Sequence, residues 1–318
     1  MLKELKFVAG SISRKDLVQA LSHFRINNGT VRGFNGIIGI CSPIELDLDI
    51  TPKADTFMKA VQTCQETIGV HVTANGKLSI KSGKFKSLVE CLPNDSFPEI
   101  LPEGEFVQLK GGFLDTIKRL YPFIGDDASR VFSRGILFRG QSAFATNNIV
   151  LVESWLGYNF PVTVNIPKAA IVELLRIDEE PEKIQLSDNR ITFHFSGNRW
   201  LCSQTYSTDW PDLSRVLDAP SQCIELPEGL YEAVDALAPF TDNMERVFFK
   251  SDGRITTSEH EEEGSSMQVE TINFEGVYNH KHLSLLKGIA NRIDFSLYPS
   301  PCMFFGDKIR GAIIGLRL

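Results

Sequence analysis

The sequence predicts an α+β chain of three tandem domains, each with helices on one face of antiparallel sheets. Three observations predict it: length and composition, an internal repeat, and apolar spacing that switches between helical and strand periods. At 318 residues the chain exceeds one ordinary domain and suits two or three, at about 100–200 residues each. Apolar residues make up 42% and charged residues 23%, the balance of a soluble globular protein. No run reaches the ~18 apolar residues that a bilayer span needs. The opening Met1 to Ser11 has no apolar stretch ending in a cleavage site, so a cytoplasmic location is expected. Cys41, Cys64, Cys91, Cys202, Cys223 and Cys302 stand singly in apolar stretches and read as reduced, buried side chains. The net charge of -7 argues against a generic nucleic-acid binder. If the chain holds DNA, its cations must be segregated onto one surface.

The repeat appears first in Ile50-Thr51-Pro52-Lys53-Ala54 and Asn165-Ile166-Pro167-Lys168-Ala169, each opening a helical pattern, about 115 residues apart. At nearly the same offset, Asp95-Ser96-Phe97-Pro98-Glu99-Ile100 recurs as Thr208-Asp209-Trp210-Pro211-Asp212-Leu213. Two motifs in register imply a duplicated domain.

Each unit reads as a helix, a strand-rich middle, a second helix and a hairpin. In the first, Leu17, Val18, Leu21 and Phe24 sit at helical spacing. The second helix turns Ala54, Phe57, Met58 and Val61 inward, with Pro52 in its first turn, where a missing N–H costs nothing. The second unit repeats this with Phe113, Leu114, Ile117 and Leu120, then with Ala170, Ile171, Leu174 and Leu175. Val150 to Val152 and Ile191 to Phe195 are β-rich, and Ser187-Asp188-Asn189 and Ala74-Asn75-Gly76 supply hairpin turns. After Asp218-Ala219-Pro220 a third unit follows, with Leu230, Ala233, Val234 and Leu237, then Leu283, Leu285, Leu286 and Ile289. Ser258 to Ser266 reads as an acidic, exposed hairpin loop, and Ile309 to Leu318 as a terminal apolar strand. The expected domains are 1–105, 106–218 and 219–318. Such units expose sheet edges that need pairing. Head-to-tail association would close them into a ring, and a ring lined by cations would hold DNA through phosphates without reading sequence.

The chain resembles the beta sliding clamps of bacterial replicases, the DNA polymerase III beta-subunit family. Arg130-Val131-Phe132-Ser133-Arg134-Gly135-Ile136-Leu137-Phe138 resembles that family's Val-Arg-Tyr-Tyr-Leu-Asn-Gly-Met-Leu-Phe, and Ala145 to Leu151 its Ala-Thr-Asp-Gly-His-Arg-Leu. Asp209-Trp210-Pro211-Asp212-Leu213 with Arg215-Val216-Leu217 is similar to Arg-Phe-Pro-Asp-Tyr followed by Arg-Val-Leu, and Gly315 to Leu318 to the end of Met-Pro-Met-Arg-Leu. Order and spacing agree over the last two thirds. The first unit matches only through Leu92-Pro93 and Phe97-Pro98.

The resemblance implies three clamp-like domains per chain, a head-to-tail homodimer closed into a ring, double-stranded DNA in the hole, and a DNA polymerase and clamp loader as partners. It implies no cofactor, metal or membrane. The expected DNA-facing residues are Arg14, Lys15, Arg25, Lys53, Lys59, Lys118, Arg119, Arg130, Arg134, Lys168, Arg176, Lys281 and Lys287, on or beside the unit helices. The third unit's first helix carries Glu228, Glu232 and Asp235, so its lining is expected to be patchy. The family's peptide-binding groove maps onto Thr146, Asn148, Ile149, Val150, Leu151, Leu217, Ile314, Leu316 and Leu318. There Gly-His-Arg becomes Asn148-Ile149-Val150, and the terminal methionines are replaced, which points to a different peptide preference.

The chain has no nucleophile elbow, phosphate loop or zinc-protease motif. His280-Lys281-His282 lacks a further ligand at metal spacing, and Glu261-Glu262-Glu263 reads as a solvated hairpin tip. A non-enzymatic role is expected. The competing readings are a clamp-fold decoy or inhibitor that does not load on DNA, and an unrelated hydrolase or transferase on duplicated α+β units. The chain is short for a bacterial clamp, which raises a phage origin.

Overall fold

The computed structural model describes residues 1–14, 18–222, 224–260, 263–270 and 272–317. Over 1–92 the elements are α1 (Leu2–Val8), β1 (Arg25–Asn27), β2 (Thr30–Phe34), β3 (Ile38–Pro43), β4 (Thr51–Pro52), α2 (Ala54–Thr63), β5 (Gly69–Val72), β6 (Leu78–Ser82), β7 (Phe85–Val89) and β8 (Cys91–Leu92). Over 105–217 they are β9 (Glu105–Gln108), α3 (Phe113–Leu120), β10 (Gly135–Arg139), β11 (Ser142–Thr146), β12 (Val150–Trp155), β13 (Val164–Pro167), α4 (Lys168–Ile177), β14 (Lys183–Ser187), β15 (Arg190–Phe195), β16 (Arg199–Gln204) and the short α5 (Ser214–Leu217). The remainder holds β17 (Ile224–Glu225), α6 (Leu230–Leu237), β18 (Arg246–Phe249), β19 (Arg254–Thr256), β20 (Ser266–Gln268), β21 (Gly276–Asn279), α7 (His280–Ser284), β22 (Arg292–Ile293), β23 (Cys302–Gly306) and β24 (Ile309–Ile313).

The proline-lysine motif marks one event repeated, a strand that ends where a helix begins. β4 hands over to α2 at Lys53, and β13 hands over to α4 at Lys168. Pro52 therefore lies in the strand and not in the helix's first turn; Lys53 is the N-cap. The third occurrence has no proline. There Asn279 ends β21 and its side chain accepts from the Lys281 and His282 backbone N–H groups, the usual way to satisfy a helix's first donors.

The first helix is not where apolar spacing put it. Val18 is extended and 54% exposed, and Gln19–Ser22 form a single 3-10 turn. His23 bridges to Lys53 and Ile26 to Ile50, so this stretch is captured by backbone pairing. Lys15 and Leu17 lie outside the described residues. The helix is α1, which buries Leu5, Phe7 and Val8. The other expected inward faces hold in most positions: Ala54, Phe57 and Val61; Phe113, Leu114, Ile117 and Leu120; Ala170, Ile171 and Leu174; and Leu230, Ala233, Val234 and Leu237 are all buried, while Met58 and Leu175, also expected inward, are half-buried. α7 is shorter than expected, leaving Leu285 and Ile289 beyond its end. The terminal strand stops at Ile313.

By backbone contact the described residues form two compact units, 1–114 with 169–205, and 115–168 with 206–318. Unit 1 contains a seven-stranded sheet in the order β1-β2-β3-β16-β15-β14-β9 and a three-stranded sheet β5-β6-β7. Unit 2 contains an eight-stranded sheet, β13-β10-β11-β12-β24-β23-β22-β17, and a four-stranded one, β20-β19-β18-β21. The two large sheets run across the sequence repeat. β3 pairs antiparallel with β16 (Trp200 opposite Cys41), and β12 pairs antiparallel with β24 (Val150 opposite Ile313). Gly135 allows β10 and β13 to close, because a Cβ there would fall 2.4 Å from the Ile166 carbonyl oxygen.

Candidate functional site

In unit 1, α1 packs on α2, and the outward residues of the pair include Lys3, Lys6 and Lys59. Lys6, Arg14 and Arg176 line one depression with Glu173. Arg176 is partly structural, donating 2.7 Å to the Phe7 carbonyl at the end of α1 and pairing with Glu173. Lys53 caps α2, and Lys59 pairs with Asp55 at 2.6 Å. Arg25 is on strand β1, not on a helix. Its guanidinium is held by Asp49 at 2.5 Å and donates to the Ile26 and Ile50 carbonyls, which takes it out of the helical surface. Lys3 and Lys6 escaped the sequence reading because the first helix was placed too late; the signal was Leu2, Leu5 and Val8 at three-residue spacing.

In α3, Lys118 is exposed and Arg119 donates to the Ser154 hydroxyl at 3.4 Å. In unit 2, Arg130 pairs with Asp127 at 3.8 Å and Lys168 with Asp126 at 2.7 Å, while Arg134 is half-buried. Lys281 is paired with Glu245, and Lys287 with Asp235 at 2.7 Å. The Lys287 bond pulls the Asp235 carboxyl below its ordinary value and holds the Lys287 ammonium above its own.

The expected groove lies entirely within unit 2. Its outer floor is a cluster of Leu137, Phe144, Leu213, Leu217, Met303 and Ala312, bordered by half-buried Leu151, Trp210, Val216 and Leu297. α5 supplies Val216 and Leu217 and is tied down by Arg310, which donates 3.1 Å to the Leu217 carbonyl and pairs with Glu153 and Asp218. A tight turn ends the floor. Asn147 Oδ1 accepts from the Ile149 and Val150 N–H groups at 3.1 and 2.8 Å, and Thr146 Oγ1 accepts from Asn148 N–H at 3.0 Å. Asn148 sits at φ +73°, a left-handed conformation that Asn tolerates better than most non-glycine residues. The Ile314 N–H donates to the Ile149 carbonyl at 3.0 Å, and the Leu316 N–H to Val277 at 2.7 Å, which fixes the tail beside this turn.

Strand alternation corrects part of the expected groove. Val150 is fully buried, on the opposite face of β12 from Leu151, and presents no side-chain surface. Thr146 and Leu217 are also buried, the first building the turn and the second the floor. Ile149, Leu151 and Leu316 are half-buried and Ile314 is 41% exposed, so these can meet a ligand. Leu318 lies outside the described residues. Val216, Trp210 and Leu297 complete the rim and were not foreseen, although Trp210 and Val216 stand inside the motif quoted for α5.

Solved structures share this arrangement over the whole chain. The chain has the fold of a bacterial sliding clamp. It superposes on the Caulobacter crescentus beta sliding clamp with a TM-score of 0.86 at 20% identity, covering 100% of this chain and 97% of that one. The Pseudomonas aeruginosa DNA polymerase III subunit beta gives 0.84 at 22% identity, and the Bacillus subtilis DNA polymerase sliding clamp 0.83 at 17%, both with the same 100% and 97% coverage. No protein-family model matches the chain, and no curated protein does. Within the clamp fold, no described helix is long and apolar enough to cross a membrane. Among the described residues no cluster of acidic, histidine and cysteine side chains could hold a metal ion.

Proposed function

We propose that this protein is a DNA sliding clamp, a non-enzymatic processivity factor of three domains (1–105, 106–218 and 219–318). It would encircle duplex DNA as a head-to-tail homodimer in the cytoplasm and recruit a polymerase and a clamp loader through the groove between Leu151, Val216, Ile314 and Leu316.

The observation that carries this reading is the seam between repeats. Each repeat has a first strand set ending in β3, β12 or β20, and a second set ending in β7, β16 or β24. The two internal seams join the last strand of one first set to the last strand of the next second set, β3 to β16 and β12 to β24. The same rule applied once more joins β20 to β7 of a second chain. Among the described residues, both strands have a free edge. Both are exposed, with Met267 at 40% and Leu88 at 50%. Their charges are complementary: Lys84 and Lys86 flank or lie in β7, while Glu259, Glu263 and Glu270 surround β20. A pair that repeats this contact twice closes.

Retention on DNA tests the proposal. A clamp loaded on a nicked circular duplex should stay bound and should leave when the circle is linearised. Equal release from both forms would sink it.

A further inference from the structure

We infer that the hold on DNA is uneven along the chain: the helices of the first two repeats carry it, and the α6–α7 face adds no net attraction for phosphate. This rests on the clamp reading above, in which the repeat helices face the duplex.

In α1 and α2, with the capping Lys53, four lysines stand against two carboxylates, Glu4 and Asp55. Glu4 is occupied by the Met1 amino group at 2.7 Å. Among the described residues, Lys3, Lys6 and Lys53 enter no ion pair, and Lys3 and Lys6 are exposed. In α3 and α4, Lys118, Arg119, Lys168 and Arg176 stand against Asp115, Glu173 and the neighbouring Asp126, with Lys168 paired to Asp126 and Arg176 to Glu173. Both helix pairs therefore present more cation than anion.

The third pair reverses the balance. The charged side chains of α6 are Glu232 and Asp235, both exposed, with Glu228 just before it. The cations opposite are already committed. Lys287 is bonded to Asp235, which also accepts from the Ser284 hydroxyl at 3.1 Å, and Lys281 is bonded to Glu245. A phosphate approaching this face would have to displace a carboxylate from each lysine and pass Glu232. Affinity for the duplex comes from releasing its counterions to a surface with a net excess of cations, and this face has no such excess. Burial lowers the His282 pKa, so that ring adds no cation to the face near neutral pH.

The test compares three double variants of the full chain on nicked circular duplex, measuring dissociation across a salt series. Lys3→Gln with Lys6→Gln should shorten residence and flatten the salt dependence, by about 0.9 in log–log slope for each phosphate no longer neutralised. Lys281→Gln with Lys287→Gln, which also unmasks Glu245 and Asp235, should leave the salt slope unchanged and shorten residence by less than the first pair does. Glu232→Gln with Asp235→Asn, which frees Lys287, should lengthen residence. All six side chains are at the surface, and a melting curve for each variant excludes a folding defect. Equal losses from the two lysine pairs would overturn the inference, as would no loss from either while circular duplex is still retained. Equal release of the unmodified protein from circular and linear duplex is a different result, and it would remove the clamp reading itself.

Discussion

The turn at Asn148 joins backbone strain to the groove in a single residue. Its φ of +73° costs an alanine about 1–2 kcal/mol and a glycine nothing. Asn148→Ala should therefore destabilise the chain by about 1 kcal/mol in denaturant titration, while Asn148→Gly should match or exceed the parent. This position was legible in part: the family-like segment has glycine there, and asparagine is the substitute the geometry allows. Val150 and Leu151 could be read from alternation as facing opposite sides of one strand, but which of the two faces the groove depends on the pairing register. Histidine burial adds a pH effect. Desolvation, helped by the Lys183 ammonium, pushes His194 below its ordinary 6.5, and desolvation does the same to His282. The neutral ring is the folded form, so the unfolded chain takes up the proton first as pH falls. Stability should be full above about pH 6.5 and decline as acid titrates through the depressed folded values. His194→Gln should flatten that decline, and unchanged unfolding midpoints from pH 7.5 to about 5 would refute the assignment.

Helices show what periodicity can and cannot read. The inward faces of α2, α3, α4 and α6 were right because Phe, Leu and Ile at three- and four-residue steps had no competing partner. The stretch from Val18 to Phe24 has the same spacing yet pairs through its backbone with Ile50 to Lys53, a contact about 25 residues away in sequence that no local pattern carries. α1 was missed in exchange. The start of α3 depends on a distant side chain too. Glu180 accepts from the Phe113 and Leu114 N–H groups at 2.7 and 3.0 Å, acting as a cap supplied from just beyond α4. Glu180→Ala should cost about 1 kcal/mol in thermal or chemical unfolding, and Glu180→Gln less. No loss in either variant would mean that water serves those donors equally well.

At the level of the molecule, the seam rule makes a sharp claim about assembly. Met267→Asp would place a desolvated charge in the β20 edge, and the protein should run as a 35.6 kDa species in light scattering with its melting curve intact. Lys86→Glu should weaken association, and Glu263→Lys on the same chain should restore part of it, with both effects shrinking in salt. A monomeric parent protein would contradict the ring. The internal seams carry one more consequence. Their ladders are made of N–H and C=O groups, which every residue except proline supplies, so joining one repeat to the next asks little of side-chain identity. Most of the residues along β3, β16, β12 and β24 can therefore differ without loosening the joints. A chain that matches its structural neighbours at about one residue in five, and still aligns with them from end to end, is what such joinery permits.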